Sequence, residues 1–202
     1  DGAYFLRRQL IHLVLAIGAM VVMLNVHHEL VRRLALPLLV GALVLLVLVL
    51  IPGLSSTVKG ASRWIAIGPI RLQPSECAKM AWVIGLAWYL SQRQDQLHDW
   101  RVAWAKPIAA LAVVGTLLML EPDFGSTLIC AGMMVLMVWI AGARWMHLGA
   151  VSLAGVGLVA VAIAAEPYRL RRLAAFLSPD QDTQGVSYHI NQALISFSSG
   201  GW

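Results

Sequence analysis

The chain has 202 residues, of which 59% are hydrophobic and only 12% charged, with a formal net charge of +5 and a mean hydropathy of +0.76. Soluble domains carry about a quarter charged residues, and a soluble core of this size needs nothing like so much apolar side chain. An ordinary soluble domain is therefore excluded, and an all-α, polytopic transmembrane helix bundle is predicted.

The first apolar run covers residues 8–25, and a polar hinge, NVHHELVRR, turns it back into the second, residues 34–51. Runs of this kind match the 17 to 25 residues or so that a bilayer-spanning helix requires, and they lack the polar face of an amphipathic helix. His27 and His28 sit in the hinge. Adjacent histidines cannot share a helix face and no third ligand lies at metal spacing, so they read as solvated and no metal site is predicted. His12, His98, His147 and His189 are scattered. Cys77 and Cys130 both fall inside apolar runs and read as small packed hydrophobes rather than a bridge.

Between the second and third runs lies KGASRWIAIGPIRLQPSECAK, residues 59–79, the one place where charge, glycine and proline crowd together. It reads as a loop carrying Lys59, Arg63 and Arg71, followed by a helix that opens with Pro74, Ser75 and Glu76 and forms the third span, residues 74–90. Proline suits the first helical position, and a carboxylate two residues later meets free amide groups and the positive end of the helix dipole. Lys79 follows Glu76 by three residues, on the same face. A lone lysine near bilayer depth costs about 2.5 to 3.5 kcal/mol on insertion scales, so a partner is expected, and Glu76 is the nearest. An ion pair that merely braces the bundle satisfies the same spacing.

After the polar SQRQDQLHDW come the fourth span, residues 104–120, the fifth, 124–141, and the sixth, 147–165. Glu121, Pro122, Asp123, Gly125, Ser126 and Thr127 form a second polar knot on the same side as the first. Asp123 and Ser126 have the spacing of a helix cap. Two polar helix starts beside a group of arginines define a membrane-edge cavity suited to a phosphate-bearing lipid. Trp64, Trp88, Trp100, Trp104, Trp139 and Trp145 lie near span ends, as interfacial anchors do, and are assigned no cofactor.

The chain divides into a helix bundle, residues 1–167, and a tail of different character, residues 168–202. PYRLRRLAAFL interleaves Arg169, Arg171 and Arg172 with Leu170, Leu173, Phe176 and Leu177, the pattern of a short basic helix lying among headgroups, with a linker as the alternative. SYHINQALISF places Ile190, Leu194 and Phe197 on one helical face. Six spans return both termini to one side. Arg7, Arg8, Lys59, Arg63, Arg71, Arg169, Arg171 and Arg172 lie there, Arg32, Arg33, Arg93, Arg101, Lys106 and Arg144 opposite, and Lys79 completes the 15 cations. That split, eight against six, does not orient the chain by the positive-inside rule and leans only slightly toward placing the termini in the cytoplasm.

KGASRW, IRLQPSECAK, EPDFGST and AEPYRLRR, followed by YHINQALISFSSGGW, resemble the FtsW/RodA/SpoVE family of shape, elongation, division and sporulation proteins, and the resemblance runs along essentially the whole chain. It implies a bacterial inner-membrane protein of roughly ten spans, of which this chain carries about six. The implied activity is peptidoglycan glycosyltransfer, polymerising lipid II into glycan strands, in cell division or cell shape, beside a class B penicillin-binding protein and with no nucleic acid partner. It orients the termini and the stretch after the second span outward, with the tail beginning the large extracytoplasmic loop. Lys59, Gly60, Arg63, Arg71, Glu76 and Lys79 then border the outer cavity, and Pro122, Asp123 and Gly125 match the family's QPDxG motif, with Glu121 in place of the usual glutamine. The resemblance puts the family's catalytic aspartate beyond residue 202, so the catalytic residue is not among those present and the chain by itself is expected to be inactive.

Glycosyl transfer from a diphospholipid requires a base for the acceptor hydroxyl and cations for the departing diphosphate. Arg63, Arg71 and Lys79 suit the second role, alone or with a divalent ion, with Glu76 as an orienting partner. Lys59, Arg63, Arg71, Glu76, Lys79 and Asp123 are accordingly the expected substrate-binding residues. Two rival functions use the same residues. A lipid II flippase would need a polar path through the spans, for which Ser152 and Thr116 are thin provision. A non-catalytic scaffold would use small-residue spacing such as Gly142, Gly149 and Gly155 to dock partner helices.

Overall fold

The computed structural model describes residues 2–51, 56–58, 61–67, 70–167, 169–170 and 188–200. Six long helices form where the apolar runs lie: α1 (Gly2–Asn25), α2 (His28–Val49), α3 (Pro74–Ser91), α4 (Lys106–Leu120), α5 (Phe124–Ile140) and α6 (Trp145–Ala164). In lipid a backbone must satisfy its own polar groups, and a helix does so within one segment. The stretches Leu6–Asn25, His28–Val49, Arg101–Leu120 and Trp145–Ala164 are long and apolar enough to cross a membrane, and the chain is that of a multi-pass membrane protein. The six predicted spans thus resolve into four that meet both criteria and two that do not. Helix α5 has 17 residues, and α3 has the length, at 18 residues, but carries Glu76 and Lys79 in its first turns.

The chain forms two compact units, Asp1–Trp145 and Met146–Trp202. In the first, α3 packs against α2, α4 and α5, while α1 exposes every side chain from Leu6 to Asn25. Small residues set the spacing. A Cβ on Gly85 would meet Leu39 Cδ2 at 3.1 Å, and one on Gly115 would meet Thr127 Cγ2 at 3.3 Å, so α2 approaches α3, and α4 approaches α5, about as closely as glycine permits. Between α3 and α5, the buried Trp82 donates its Nε1–H to the Cys130 carbonyl at 3.0 Å.

The stretch expected as a loop contains three short strands instead, β1 (Ser56–Val58), β2 (Ala61–Ile67) and β3 (Ile70–Leu72), in an antiparallel meander with β2 in the middle. Its β-branched and aromatic residues, bracketed by Lys59–Gly60 and Gly68–Pro69, carry a strand signal that the local charge obscured. Thr57 pairs with Ser62 but Ser56 pairs with Trp64, so the register slips by one and Arg63 is the extra residue of a β-bulge. Arg71 pairs with Ala66 across β2 and β3, and β2 lies against both α2 and α3.

The fourth span also differs from expectation. It begins with a π-helical turn, Arg101–Ala105, ahead of α4, and Trp104 is fully buried rather than placed in an interfacial belt. A π turn carries more residues per turn than the helix it leads into and so changes which side chains face inward. Trp100 stacks on Trp104 with ring centroids 6.2 Å apart. Trp139 and Trp145, at 54% and 78% exposure, do sit as boundary residues should.

In the second unit, Arg169 Nη1 donates to the Ala162 carbonyl at 2.8 Å, just past the end of α6. Apart from Arg169 and Leu170, the basic helix expected over residues 168–177 lies outside the described residues. The final helix, α7 (Tyr188–Ser199), forms where its periodicity predicts, with Leu194 and Phe197 exposed.

Because lipid offers no hydrophobic drive between helices, the α3 contacts carry the first unit. In the full-length protein in detergent, Trp82→Ala is expected to cost about 3 to 5 kcal/mol, the usual toll of emptying a large aromatic site. Trp82→Phe should cost only about 0.5 to 1.5 kcal/mol, the net worth of one hydrogen bond. Thermal unfolding checks both, and an unchanged midpoint for Trp82→Ala would remove this contact as the brace.

Candidate functional site

Helix α3 starts without a side-chain cap from Gln73. Instead Pro74 occupies the first turn, where its missing N–H is no loss, and Gln73 Nε2 donates to Ser75 Oγ at 3.0 Å, with Ser75 fully buried. Glu76 lies in that turn, near the positive end of the helix dipole. Lys79 Nζ donates to Glu76 Oε1 at 2.8 Å, the ion pair its spacing predicts.

The two partners occupy different surroundings. The Lys79 side chain is 21% exposed and that of Glu76 61%. Glu76 borders a groove of about 810 Å³ between α2 and α3, whose other walls include Pro37, Gly41, Leu45, Met80 and Ile84. The pair therefore joins a mostly inward cation to an outward carboxylate at the mouth of an apolar cleft.

The second knot is a helix cap. Asp123 is the N-cap of α5. The Ser126 N–H donates to its Oδ1 at 3.1 Å, Ser126 Oγ donates to its Oδ2 at 2.7 Å, and Thr127 Oγ1 donates to its carbonyl at 3.1 Å. This is the mechanism by which a short carboxylate starts a helix. The Trp82–Cys130 bond lies about two turns into both α3 and α5, so the two helices begin at one end of the bundle. Glu121, the C-cap residue of α4, is 1% exposed at that same end.

Of the residues expected to bind substrate, the structure brings Glu76, Lys79 and Asp123 together at this end. It sets the backbone of Arg63 and Arg71 in the adjoining meander. Their side chains, and Lys59 altogether, lie outside the described residues. The burial of Ser75 and Glu121 was not anticipated. A carboxylate at the last turn of an otherwise apolar helix was the available signal for Glu121. Chemically, this end offers a fixed cation for an anionic headgroup. Of the three carboxylates at this end, Glu76 is paired with Lys79 and both oxygens of Asp123 serve the cap.

The chain is similar to known proteins along its whole length. Residues 1–202 match the FtsW/RodA/SpoVE family, described as "Cell cycle protein". The chain is 36% identical over 199 residues to the "Probable peptidoglycan glycosyltransferase FtsW" of Legionella pneumophila, covering 98% of this chain and 50% of that protein. It is 39% identical over 203 residues to the protein of the same name in Trichlorobacter lovleyi, covering 100% of this chain and 53% of that protein. The chain thus spans about half the length of the curated relatives it matches. Among solved structures, one reported as "Structural coordination of polymerization and crosslinking by a peptidoglycan synthase complex" superposes with a TM-score of 0.73 at 30% identity, over 94% of this chain and 56% of that one. The rod shape determining protein RodA of Thermus thermophilus superposes with a TM-score of 0.63 at 30% identity, over 78% of this chain and 49% of that one. A family match along every residue, joined to helices and strands that superpose on these solved chains, makes this chain a member of the FtsW/RodA/SpoVE family.

Proposed function

We propose that the protein to which this chain belongs is a peptidoglycan glycosyltransferase of the bacterial cytoplasmic membrane, polymerising lipid II at the outer face beside a class B penicillin-binding protein. The observation that carries this reading is the Glu76–Lys79 pair, 2.8 Å long, at the head of α3. Holding an ammonium inside the first turns of a membrane helix has a cost in lipid, and an anionic diphosphate headgroup gives that cost a purpose. The names of the relatives, and the synthase complex on which the chain superposes, supply the reaction class and the kind of partner.

In this scheme Lys79 holds the diphosphate as it becomes the leaving group, and Arg63 and Arg71 of the meander add bidentate contacts. The bulge at Arg63 interrupts the ladder at that residue, as bulges beside binding sites do. Glu76 keeps Lys79 in place, and Asp123 fixes the start of α5 beside it.

Purified full-length protein with lipid II tests the reading through glycan-chain formation, since only a polymerase makes chains in a single compartment. Translocation of lipid II without chain formation would instead favour a transporter. Arg63→Lys should lose most of the polymerisation, because lysine lacks the guanidinium fork. Full activity in an Arg63→Lys, Arg71→Lys double variant at normal expression would remove the meander from the site.

The exposures predict an asymmetric result at the ion pair. Glu76→Gln strands a mostly covered cation and should destabilise by about 1 to 3 kcal/mol. Lys79→Met leaves a mostly exposed carboxylate and should cost less than about 1 kcal/mol. The double variant should regain stability in thermal unfolding while polymerisation stays lost. Near wild-type chain formation by the double variant would leave the pair as a structural brace only.

A further inference from the structure

The opposite end of the first unit holds a second cavity, of about 230 Å³, where α2, α3 and α4 meet. Leu36 and Leu39 of α2, Trp88 and Tyr89 of α3, and Lys106 and Ala110 of α4 are in its lining. It is apolar except at its mouth. The Tyr89 hydroxyl donates to the Val102 carbonyl at 2.9 Å, so the tyrosine turns its ring toward the cavity and its polar atom toward the backbone. A space of several water volumes with so few polar partners favours hydrocarbon over water.

Lys106 is in the cavity lining, and Arg93 lies over the ring of Tyr89, another lining residue. Lys106 is exposed and forms no ion pair with any described residue. Arg93 likewise has no carboxylate partner and lies over the Tyr89 ring, 4.5 Å from its centroid. Arg32 and Arg33, by contrast, share Glu29 at 3.8 and 3.5 Å. Asp99 is also engaged locally, accepting from the Arg101 backbone N–H at 2.9 Å. A lining cation and a second cation over a lining ring, neither paired with a described carboxylate, stand beside an apolar slot between membrane helices, a combination that matches the two halves of an anionic lipid.

We propose that this cavity is a binding site for an anionic glycerophospholipid, distinct from the Glu76–Lys79 end. One acyl chain lies in the slot under Trp88 and Leu39, and the phosphodiester headgroup takes Lys106 and Arg93. The site holds the α2–α3–α4 junction together in the leaflet at that end, and it is independent of the reaction proposed above.

Native mass spectrometry of delipidated full-length protein tests this by titration with dioleoyl phosphatidylglycerol and dioleoyl phosphatidylcholine. The anionic lipid should bind more tightly. Lys106→Gln should weaken it about fivefold and the Lys106→Gln, Arg93→Gln double variant about thirtyfold, at the weight of roughly one surface cation each, while phosphatidylcholine is little affected. Lys106→Arg keeps the charge and should keep the preference. Ala110→Leu fills the slot and should weaken both lipids. An unchanged preference in the double variant, or unchanged binding in Ala110→Leu, overturns the proposal. So does full competition by chain-free glycerophosphoglycerol, which would make the site one for free phosphate. If the glutamine variants do not fold, Lys106→Arg and Ala110→Leu still decide it.

Discussion

Helix α3 is gripped from two sides, and the first unit depends on that grip. On one side Gly85 lets Leu39 of α2 approach to what would be 3.1 Å from a Cβ. On the other, Trp82 reaches across to the Cys130 carbonyl of α5. In water such contacts would be minor beside the burial of apolar surface, but in lipid that surface gains little by leaving its surroundings, and packing and hydrogen bonds must do the selecting. The position and rotation of α3 are set by these two contacts, and so is the direction in which Glu76 and Lys79 point. An ion pair on a helix free to roll would have no defined geometry.

The pair itself shows what burial does to two halves of one interaction. Glu76 and Lys79 are bonded at 2.8 Å, yet one is three times as exposed as the other, at 61% against 21%. The cation pays the larger desolvation and needs the bond more, whereas the carboxylate could be solvated at the groove mouth without it. Glu76 is then better described as a holder of Lys79 than as an equal partner. Asp123 has a similar supporting part, since a cap that uses both carboxylate oxygens fixes where α5 begins and leaves little capacity for other work.

Much of the fold was legible because membrane spans are written in long apolar runs, and every predicted run became a helix. The Glu76–Lys79 pair and the Asp123 cap were legible for a different reason: both are local, fixed by spacing of three residues along one helix. What escaped depends on long-range packing or on mixed local signals. The meander hid because Arg63, Lys59 and two glycine turns look like a loop, while strand pairing is a relation between segments. Trp104 looked like a boundary residue by its distance from the run's end, but the π turn at Arg101–Ala105 moved it into the core. Nothing within a short window of sequence reveals that Trp82 will meet Cys130, 48 residues away.

Helix α3 also explains why a strict test of apolarity passes over it. Its 18 residues span about 27 Å at 1.5 Å each, close to the roughly 30 Å of bilayer hydrocarbon. A helix of that length has little apolar residue to spare, so placing Glu76 and Lys79 inside its first two turns lowers its hydropathy directly. Its far end carries Tyr89, with Arg93 just beyond over the ring, so polar chemistry sits at both ends of one short element. Such a helix is poorly suited to inserting alone and well suited to standing among others. Its neighbours α2 and the Arg101–Leu120 stretch are among those apolar enough to cross by themselves. The more polar helix lies against them and against α5, and protein covers most of the Lys79 side chain. The central position of α3 and the cover over Lys79 therefore follow from one constraint: a cation is kept at membrane depth at least cost where neighbouring helices cover it.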